Sequence, residues 1–406
     1  MPDHQSKRAR LSQRACQQSG TPPQSKSEQA RLLSWLTENS QARSNDTAGE
    51  KPVVGVIEGC GIGPEVIDAS LRVLSAVERV TGIQLEVHFG GPVGEDAQAQ
   101  FGQPLPESTT RFVADIFDRG GAVLSGPGGG RYVYDLRRHF DLFCKFVPVR
   151  PYPQLARSSQ IAAENLARVD LLIVRDNVGG VYQGAWNTRT TKAGKVAEHS
   201  FSYTETQVQR LAEVAARSAA ARRGKMDVIV KDSGVPAISE MWREVASVVA
   251  DKHNVEAKFL NVDFAAYELI RSPSSFNVIL TPNLFGDLLV DLTGALLGSR
   301  GITFSANYDA KGNGVYQTNH GCAHDLAGAD TANPAGQILS LAMLLRESFG
   351  LGEAAGLMET ALISAWQQGW RTADIAEPGC KVVGTKAMAE HVVEQVFRLS
   401  QAQLPA

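Results

Sequence analysis

The sequence predicts an α/β fold with a largely parallel sheet, and two observations lead there. Short apolar runs of strand length alternate with helix-length segments whose apolar residues recur at three and four. The runs are almost continuously apolar, which suits strands covered by helices on both faces. In chain order the strands fall at Val53–Ile57, 122–124, 171–174, 228–230 and 278–280. Helices are predicted over 64–80, 204–222 and 238–252 between them, and over 336–348 and 357–367 towards the C-terminus, with turn signals at Gly350 and Pro378. With 406 residues, 43% of them hydrophobic, the chain is long enough for two or three domains with buried cores.

Composition narrows the partners. A formal net charge of -3 gives no general attraction to nucleic acid or anionic lipid, so an anionic ligand needs a local basic site. No apolar stretch approaches the roughly 18 residues of a membrane span, and the first residues are too polar for a secretory leader, so a cytoplasmic protein is expected. Five cysteines, Cys16, Cys60, Cys144, Cys322 and Cys380, are scattered without a C-x-x-C pair. Reduced thiols are the expectation, with neither a disulfide framework nor a zinc site. Residues 1–50 are rich in Gln, Ser, Lys and Arg and read as a disordered arm with one short helix around Leu32, Leu33, Trp35 and Leu36; an organelle transit peptide is the alternative.

Four segments could carry chemistry. Strand Val53–Ile57 runs into E-G-C-G-I-G-P-E at 58–65, a strand-to-helix turn whose glycines would let backbone N–H groups approach an anion. The spacing is not the G-x-G-x-x-G of the usual dinucleotide fingerprint. In N-L-F-G-D-L-L-V-D at 283–291, helical spacing puts Asp287 and Asp291 on one face amid apolar neighbours. Such a carboxylate pair is costly to bury without a cation between its members, and hard oxygen ligands suit Mg²⁺ or Mn²⁺. A basic set, Arg131, Arg137, Arg138, Lys145, Arg150 and Arg175, suits a small di- or tri-acid, although a solvated face explains Arg138 equally well. Finally, H-G-C-A-H-D-L-A-G at 320–328 with Asn333-Pro334 reads as a ligand-contacting loop, because Gly321 opposes the helix that His320 and His324 would need to share a metal.

Taken in this order, these segments resemble the β-decarboxylating dehydrogenase family of isocitrate, isopropylmalate, homoisocitrate, tartrate and D-malate dehydrogenases. The likeness spans about 53–396 and rests on the glycine turn, L-R-R-H-F-D-L at 136–142, R-D-N at 175–177 with Tyr182, the 283–291 segment, and the 320–328 loop. The resemblance implies an isopropylmalate dehydrogenase-like fold of two α/β domains sharing a mixed sheet, with a cleft active site completed by a second subunit. On that pattern 51–142 and 298–406 form the large domain with the cofactor loop, and 143–297 the small domain. It further implies Asp287 and Asp291 as metal ligands, joined by Asp263 from the neighbouring subunit of a homodimer. Arg137 and Arg175 become substrate-carboxylate ligands, Lys231 the base donated across the dimer, and Tyr182 the proton donor to the enol. His320, Gly321, Cys322, Ala323, Asp325 and Asn333 become cofactor-binding, and Asp325 favours NAD over NADP by repelling a 2′-phosphate.

The chain also departs from the family pattern. Cys60 replaces an aspartate in the first turn, and K-F-V-P at 145–148 lacks one substrate arginine, for which Lys145 is the expected substitute. Arg131 and Val133 differ from the isocitrate-type pattern on the substrate-selecting helix. Added cations favour an isocitrate-like or phosphonate-bearing acid over isopropylmalate. A tartrate- or malate-type enzyme and a silent regulatory subunit remain open alternatives.

Overall fold

The computed structural model describes residues 51–402. The proposed arm at 1–50 lies outside them. In chain order the regular elements begin with β1 (Val53–Ile57), α1 (Gly63–Thr81), β2 (Glu86–Phe89), α2 (Gly94–Phe101), α3 (Glu107–Asp118), β3 (Ala122–Ser125) and α4 (Tyr132–His139). The middle of the chain supplies β4 (Cys144–Val149), a short α5 (Ala163–Leu166), β5 (Leu171–Asp176), β6 (Ala185–Thr191), β7 (Gly194–Ser200), α6 (Glu205–Ala221), β8 (Lys225–Val230), α7 (Pro236–Lys252), β9 (Glu256–Asn261) and α8 (Val262–Arg271). Then come β10 (Val278–Thr281), α9 (Asn283–Leu297), β11 (Phe304–Tyr308), β12 (Gly314–Thr318), α10 (Ala335–Phe349), α11 (Gly352–Gln367), β13 (Trp370–Arg371), β14 (Lys381–Val382) and α12 (Thr385–Ala402).

Ten strands form one sheet in the order β2-β1-β3-β12-β11-β4-β5-β10-β8-β9. Four neighbouring strands at one end, β2, β1, β3 and β12, are mutually parallel, as are β5, β10, β8 and β9 at the other. Between the blocks the pairs β12/β11, β11/β4 and β4/β5 are antiparallel. The sheet is therefore mixed and mostly parallel, as expected. All five strands read from the sequence are present, and each of the five predicted helices is found within a few residues of its limits.

Local chemistry explains the boundaries that matter for the site. Helix α1 starts at Gly63 with proline in its first turn and Glu65 beside the positive end of its dipole. It stops at Gly82, whose φ of 74 supplies the left-handed cap and whose N–H donates to Glu78 O. Helix α6 is fixed by a reciprocal capping box of Thr204 and Gln207. Helix α10 is buried on nearly every side, which is why its sequence, A-G-Q-I-L-S-L-A-M-L-L, lacks a polar stripe. It packs with α1, α11 and β12 in the main core, where Trp366 is 1% exposed and stacks edge-on against Tyr152 at 4.9 Å. No helix among the described residues is long and apolar enough to cross a membrane.

Candidate active site

Antiparallel pairing of β4 with β5 sets Lys145 directly opposite Arg175, so the two cations share one face of the sheet. Both are buried, at 3% and 1% exposure. Arg137, near the end of α4, is buried as well. The carboxylate that Arg175 meets is Asp287, in the first turns of α9, and both Asp287 and Asp291 act on Lys145. Arg175 Nη1 donates to Asp287 Oδ1 at 2.5 Å, and its Nη2 donates to Asn283 Oδ1 at 2.8 Å. Tyr182, on a turn after β5, donates its hydroxyl to the other carboxylate oxygen, Oδ2, at 2.8 Å. Gly286 lets α9 come this close to β5, since a Cβ there would lie 2.7 Å from Arg175 Cγ.

The electrostatics of the cluster are those of a site short of negative charge. Burial lowers the Arg137 pKa to about 10, and Arg175 adds to the effect by repulsion. Lys145 is held well below the usual lysine range by burial and then by Arg137 and Arg175, with Asp287 and Asp291 pulling the other way. For Asp287, burial favours the neutral acid, but attraction to Arg175, the Tyr182 hydrogen bond and Lys145 together outweigh it and hold the carboxyl below its ordinary value. Burial, followed by the bond to Asp287, pushes the Tyr182 phenol up, so it keeps its proton. The Nε atoms of Arg137 and Arg175 are buried without a hydrogen-bond partner among the described residues. An anion with several acceptor oxygens would satisfy donors that the protein leaves unpaired.

Arg131 stands at the edge of this group. Its guanidinium lies 4.6 Å from the Trp186 ring, donates to the Tyr182 carbonyl at 3.2 Å, and lies 3.5 Å from Asp135. Val133, on the same helix, instead packs on the cluster containing Tyr132 and Leu136, so Arg131 is the departure that faces the site. The other basic residues fall away: Arg138 is exposed, and Arg150 pairs with Asp170.

Asp291 follows one turn after Asp287 on α9, as the spacing predicts, but its surroundings correct the expectation of a buried pair. The Asp287 and Asp291 side chains are 39% and 52% exposed, and Leu288 between them is exposed. Asp291 is balanced by Arg300 at 3.1 Å. Lys231 and Asp263 pair with each other at 2.7 Å, where β8 ends and α8 begins, and no hydrogen bond or ion pair among the described residues joins them to the Asp287 cluster.

The 320–328 segment is a series of turns rather than a helix, so His320 and His324 do not share a helical face. His320 is half-buried, and burial lowers its pKa. Gly321 and Asp325 are exposed, Cys322 is buried and Ala323 takes a φ of 43. Ile62 N donates to Cys322 O at 2.8 Å, which ties this loop to the glycine turn. The turn needs its glycines: Gly59 and Gly61 have φ of 80 and 61, and a Cβ on Gly61 would lie 2.0 Å from the Cys322 carbonyl oxygen. Asn333 is used internally, accepting from Ala335 N at the start of α10 and donating to Asp374. His324 pairs with Glu95 at 3.0 Å rather than with Asp325. Sequence reasoning passed over Asn283, although it opens the 283–291 motif, and Arg300 and Glu95, whose roles depend on contacts distant in sequence.

Buried cations thus lie beside a helical carboxylate pair and a protonated tyrosine at the reversal point of a mixed α/β sheet, a donor set whose chemistry suits an acid with several oxygens. Residues 53–392 match the family model for isocitrate/isopropylmalate dehydrogenase. The chain is 38% identical over 361 residues to the 3-isopropylmalate dehydrogenase of Burkholderia pseudomallei strain 1710b and 37% identical to that of Cupriavidus metallidurans, in each case over 84% of this chain and 99% of the relative. Among solved structures, isocitrate dehydrogenase from Methylococcus capsulatus superposes with a TM-score of 0.76 at 29% identity, covering 85% of this chain and 99% of that one. The protein thus belongs to the isocitrate/isopropylmalate dehydrogenase family, whose members are decarboxylating dehydrogenases acting on CH–OH groups.

Proposed function

We propose that the protein catalyses the NAD-dependent, divalent-metal-dependent oxidative decarboxylation of a 2-hydroxy di- or tri-acid. The observation that carries this reading is the gathering of the buried cations Arg137, Lys145 and Arg175 around Asp287, which accepts from Arg175 and, on its other oxygen, from Tyr182. The buried cations bind and orient the substrate's carboxylates, and Arg131 at the rim reaches an additional acidic group. That surplus of cations favours an isocitrate-like or phosphonate-bearing acid over isopropylmalate, despite the names of the sequence relatives. Lys231 serves as the base that takes the hydroxyl proton. Tyr182, held in its protonated form, returns a proton to carbon after CO₂ departs.

The carboxylates of Asp263, Asp287 and Asp291 are a hard oxygen donor set that suits Mg²⁺ or Mn²⁺. Each is now balanced by a cation of the same chain, Lys231, Arg175 and Arg300 respectively, a charge balance that a divalent ion would take over. A bound metal supplies Lewis acidity toward the substrate's hydroxyl and carbonyl oxygens, and NAD supplies the hydride acceptor. His320, Gly321, Cys322, Ala323 and Asp325 form the cofactor loop of this proposal, and Asn333 holds its far end by accepting from Ala335 N at the start of α10.

Lys231 and Asp263 pair with each other and, among the described residues, make no hydrogen bond or ion pair with Asp287, which fits a site completed across a homodimer. Phe264 and Tyr267 on α8 and Leu288 on α9 are exposed beside it, an apolar face that a second copy would cover. The exposed β6/β7 hairpin offers a further contact. On this reading residues 51–142 and 298–406 act as the cofactor-bearing domain and 143–297 as the domain that pairs with the partner. A substrate screen of the purified protein, following NADH absorbance with Mn²⁺ present, tests the proposal. Turnover of a tricarboxylic 2-hydroxy acid with kcat/KM above that for isopropylmalate supports it, and the reverse order overturns the substrate reading.

A further inference from the structure

Two cysteines 262 positions apart in sequence meet where the glycine turn touches the 320–328 loop. Cys60 is 1% exposed and Cys322 7%, and their Sγ atoms lie 2.7 Å apart. That spacing is closer than ordinary sulfur contact. The backbones around them are already locked together, since Cys60 N donates to Pro127 O at 2.9 Å and Ile62 N donates to Cys322 O at 2.8 Å. Closing the remaining gap to the roughly 2.05 Å of a disulfide needs side-chain rotation more than movement of the chain.

We propose that Cys60 and Cys322 form a reversible disulfide that responds to hydroperoxide and controls the cofactor loop. The effect on the cofactor rests on the NAD reading above; the bond itself does not. The two thiols are not equivalent. Gly129 N–H points at Cys60 Sγ from 3.1 Å, and Cys60 stands just ahead of the N-terminus of α1. Cys322 is kept protonated by burial and by its contact with Cys60. In this scheme Cys60, whose sulfur faces a backbone N–H donor, is the sulfur that attacks.

In the first step the Cys60 thiolate takes the distal oxygen of hydrogen peroxide, forming a sulfenic acid and releasing hydroxide. In the second the Cys322 sulfur attacks the sulfenic sulfur, an S–S bond replaces the S–O bond, and water leaves with the Cys322 proton. Two thiols and one peroxide give one disulfide and two waters, and a dithiol reverses the oxidation. The bond would draw Cys322 and Ala323, already in a left-handed conformation, towards the turn and restrict the loop that carries Asp325.

His324 lies in the same group as the two cysteines, within 4.8 Å, and pairs with Glu95, so a zinc site is the competing chemistry. Two thiolates on one tetrahedral zinc at about 2.3 Å would stand about 3.8 Å apart, so the observed spacing favours the disulfide.

The test uses the purified full chain, reduced and then titrated with hydrogen peroxide. Non-reducing peptide mass spectrometry should find the Cys60 and Cys322 peptides joined and lighter by two hydrogens, while NADH affinity, read by fluorescence, falls tenfold or more and returns with dithiothreitol. Cys60→Ser should lose both the link and the response to peroxide, each measured against its own untreated sample, whereas Cys144→Ser and Cys380→Ser should keep both. Stoichiometric zinc on the purified protein, linkage through another cysteine, or a link that leaves NADH affinity unchanged would overturn the proposal. The joined peptides are scored without cofactor, so failure of the reduced protein to bind NADH counts separately, against the NAD reading.

Discussion

Replacing Asp287 with Asn perturbs stability and activity together, and the two responses have different sizes. Arg175 is 1% exposed and Asp287 39%. Breaking a fully buried ion pair costs about 3–5 kcal/mol and an exposed one about 0–1 kcal/mol. A half-covered pair whose variant keeps one acceptor oxygen should lie between, at about 1–3 kcal/mol. In a folded unit of this size that lowers Tm by roughly 1–4 °C. The Asp287 carboxyl titrates below its unfolded value, so its contribution is present above the unfolded pKa of about 4 and is lost as pH falls through the folded pKa. The Tm gap should therefore be constant near neutrality and shrink on acidification. Turnover should fall much further, roughly 10²- to 10³-fold or about 3–4 kcal/mol of barrier, because a ligand charge and the partner of Tyr182 are removed together. Calorimetry from pH 3, about one unit below the unfolded carboxylate pKa, to pH 8, well above it, and a Mn²⁺ titration of initial rates measure both. Wild-type turnover at limiting Mn²⁺ would refute the metal assignment, and an unchanged Tm gap across this range would refute the charge argument.

Four other outcomes follow. Tyr182→Phe should lower kcat about 10²- to 10⁴-fold with little change in KM, since it removes a protonated donor while the buried cations that bind substrate remain; an unchanged kcat would exclude Tyr182 as the acid. Lys145→Met should raise Tm at neutral pH and raise KM for substrate. The folded pKa of Lys145 lies below its unfolded value, so the unfolded chain takes up a proton that the fold resists, and the penalty fades as pH rises towards about 10.4; a lower Tm at pH 7 than at high pH, relative to wild type, would contradict this. Mixing inactive Lys231→Met and Asp287→Asn chains should restore part of the activity if sites are shared across a dimer, and no recovery after proven subunit exchange would count against sharing. Wild type should prefer NAD at pH 8 and Asp325→Lys should move kcat/KM towards NADP; a wild-type preference for NADP would show that Asp325 does not set the choice.

What was legible in the sequence follows the physics of each signal. The central strands of the two parallel blocks were visible because burial on both faces removes polar residues, as in Leu171–Asp176, whose first four residues are all apolar. Strand β4 carries Lys145 and Pro148 and lies between antiparallel neighbours, so it shows no continuous apolar run. The β6/β7 hairpin, with its nearly fully exposed A-W-N-T-R-T-T strand, has no core to impose an apolar period. At the site, Asp287, Tyr182, Arg137, Lys145 and Arg175 were all readable from motifs and are found together. The exposure of Asp291 and Leu288 was not, because helical spacing fixes which residues share a face but not what covers it. The contact between Cys60 and Cys322 depends on two loops brought together by the whole sheet, and no local pattern announces it.

The most direct test of the central claim is the stoichiometry of products. Purified protein with Mn²⁺, NAD and a tricarboxylic 2-hydroxy acid should release CO₂ and NADH in equal amounts, and neither should form once a chelator is added. NADH without CO₂ would identify a dehydrogenase that does not decarboxylate, and the absence of both with every 2-hydroxy acid tried would contradict an active site built around Asp287, Tyr182 and the buried cations.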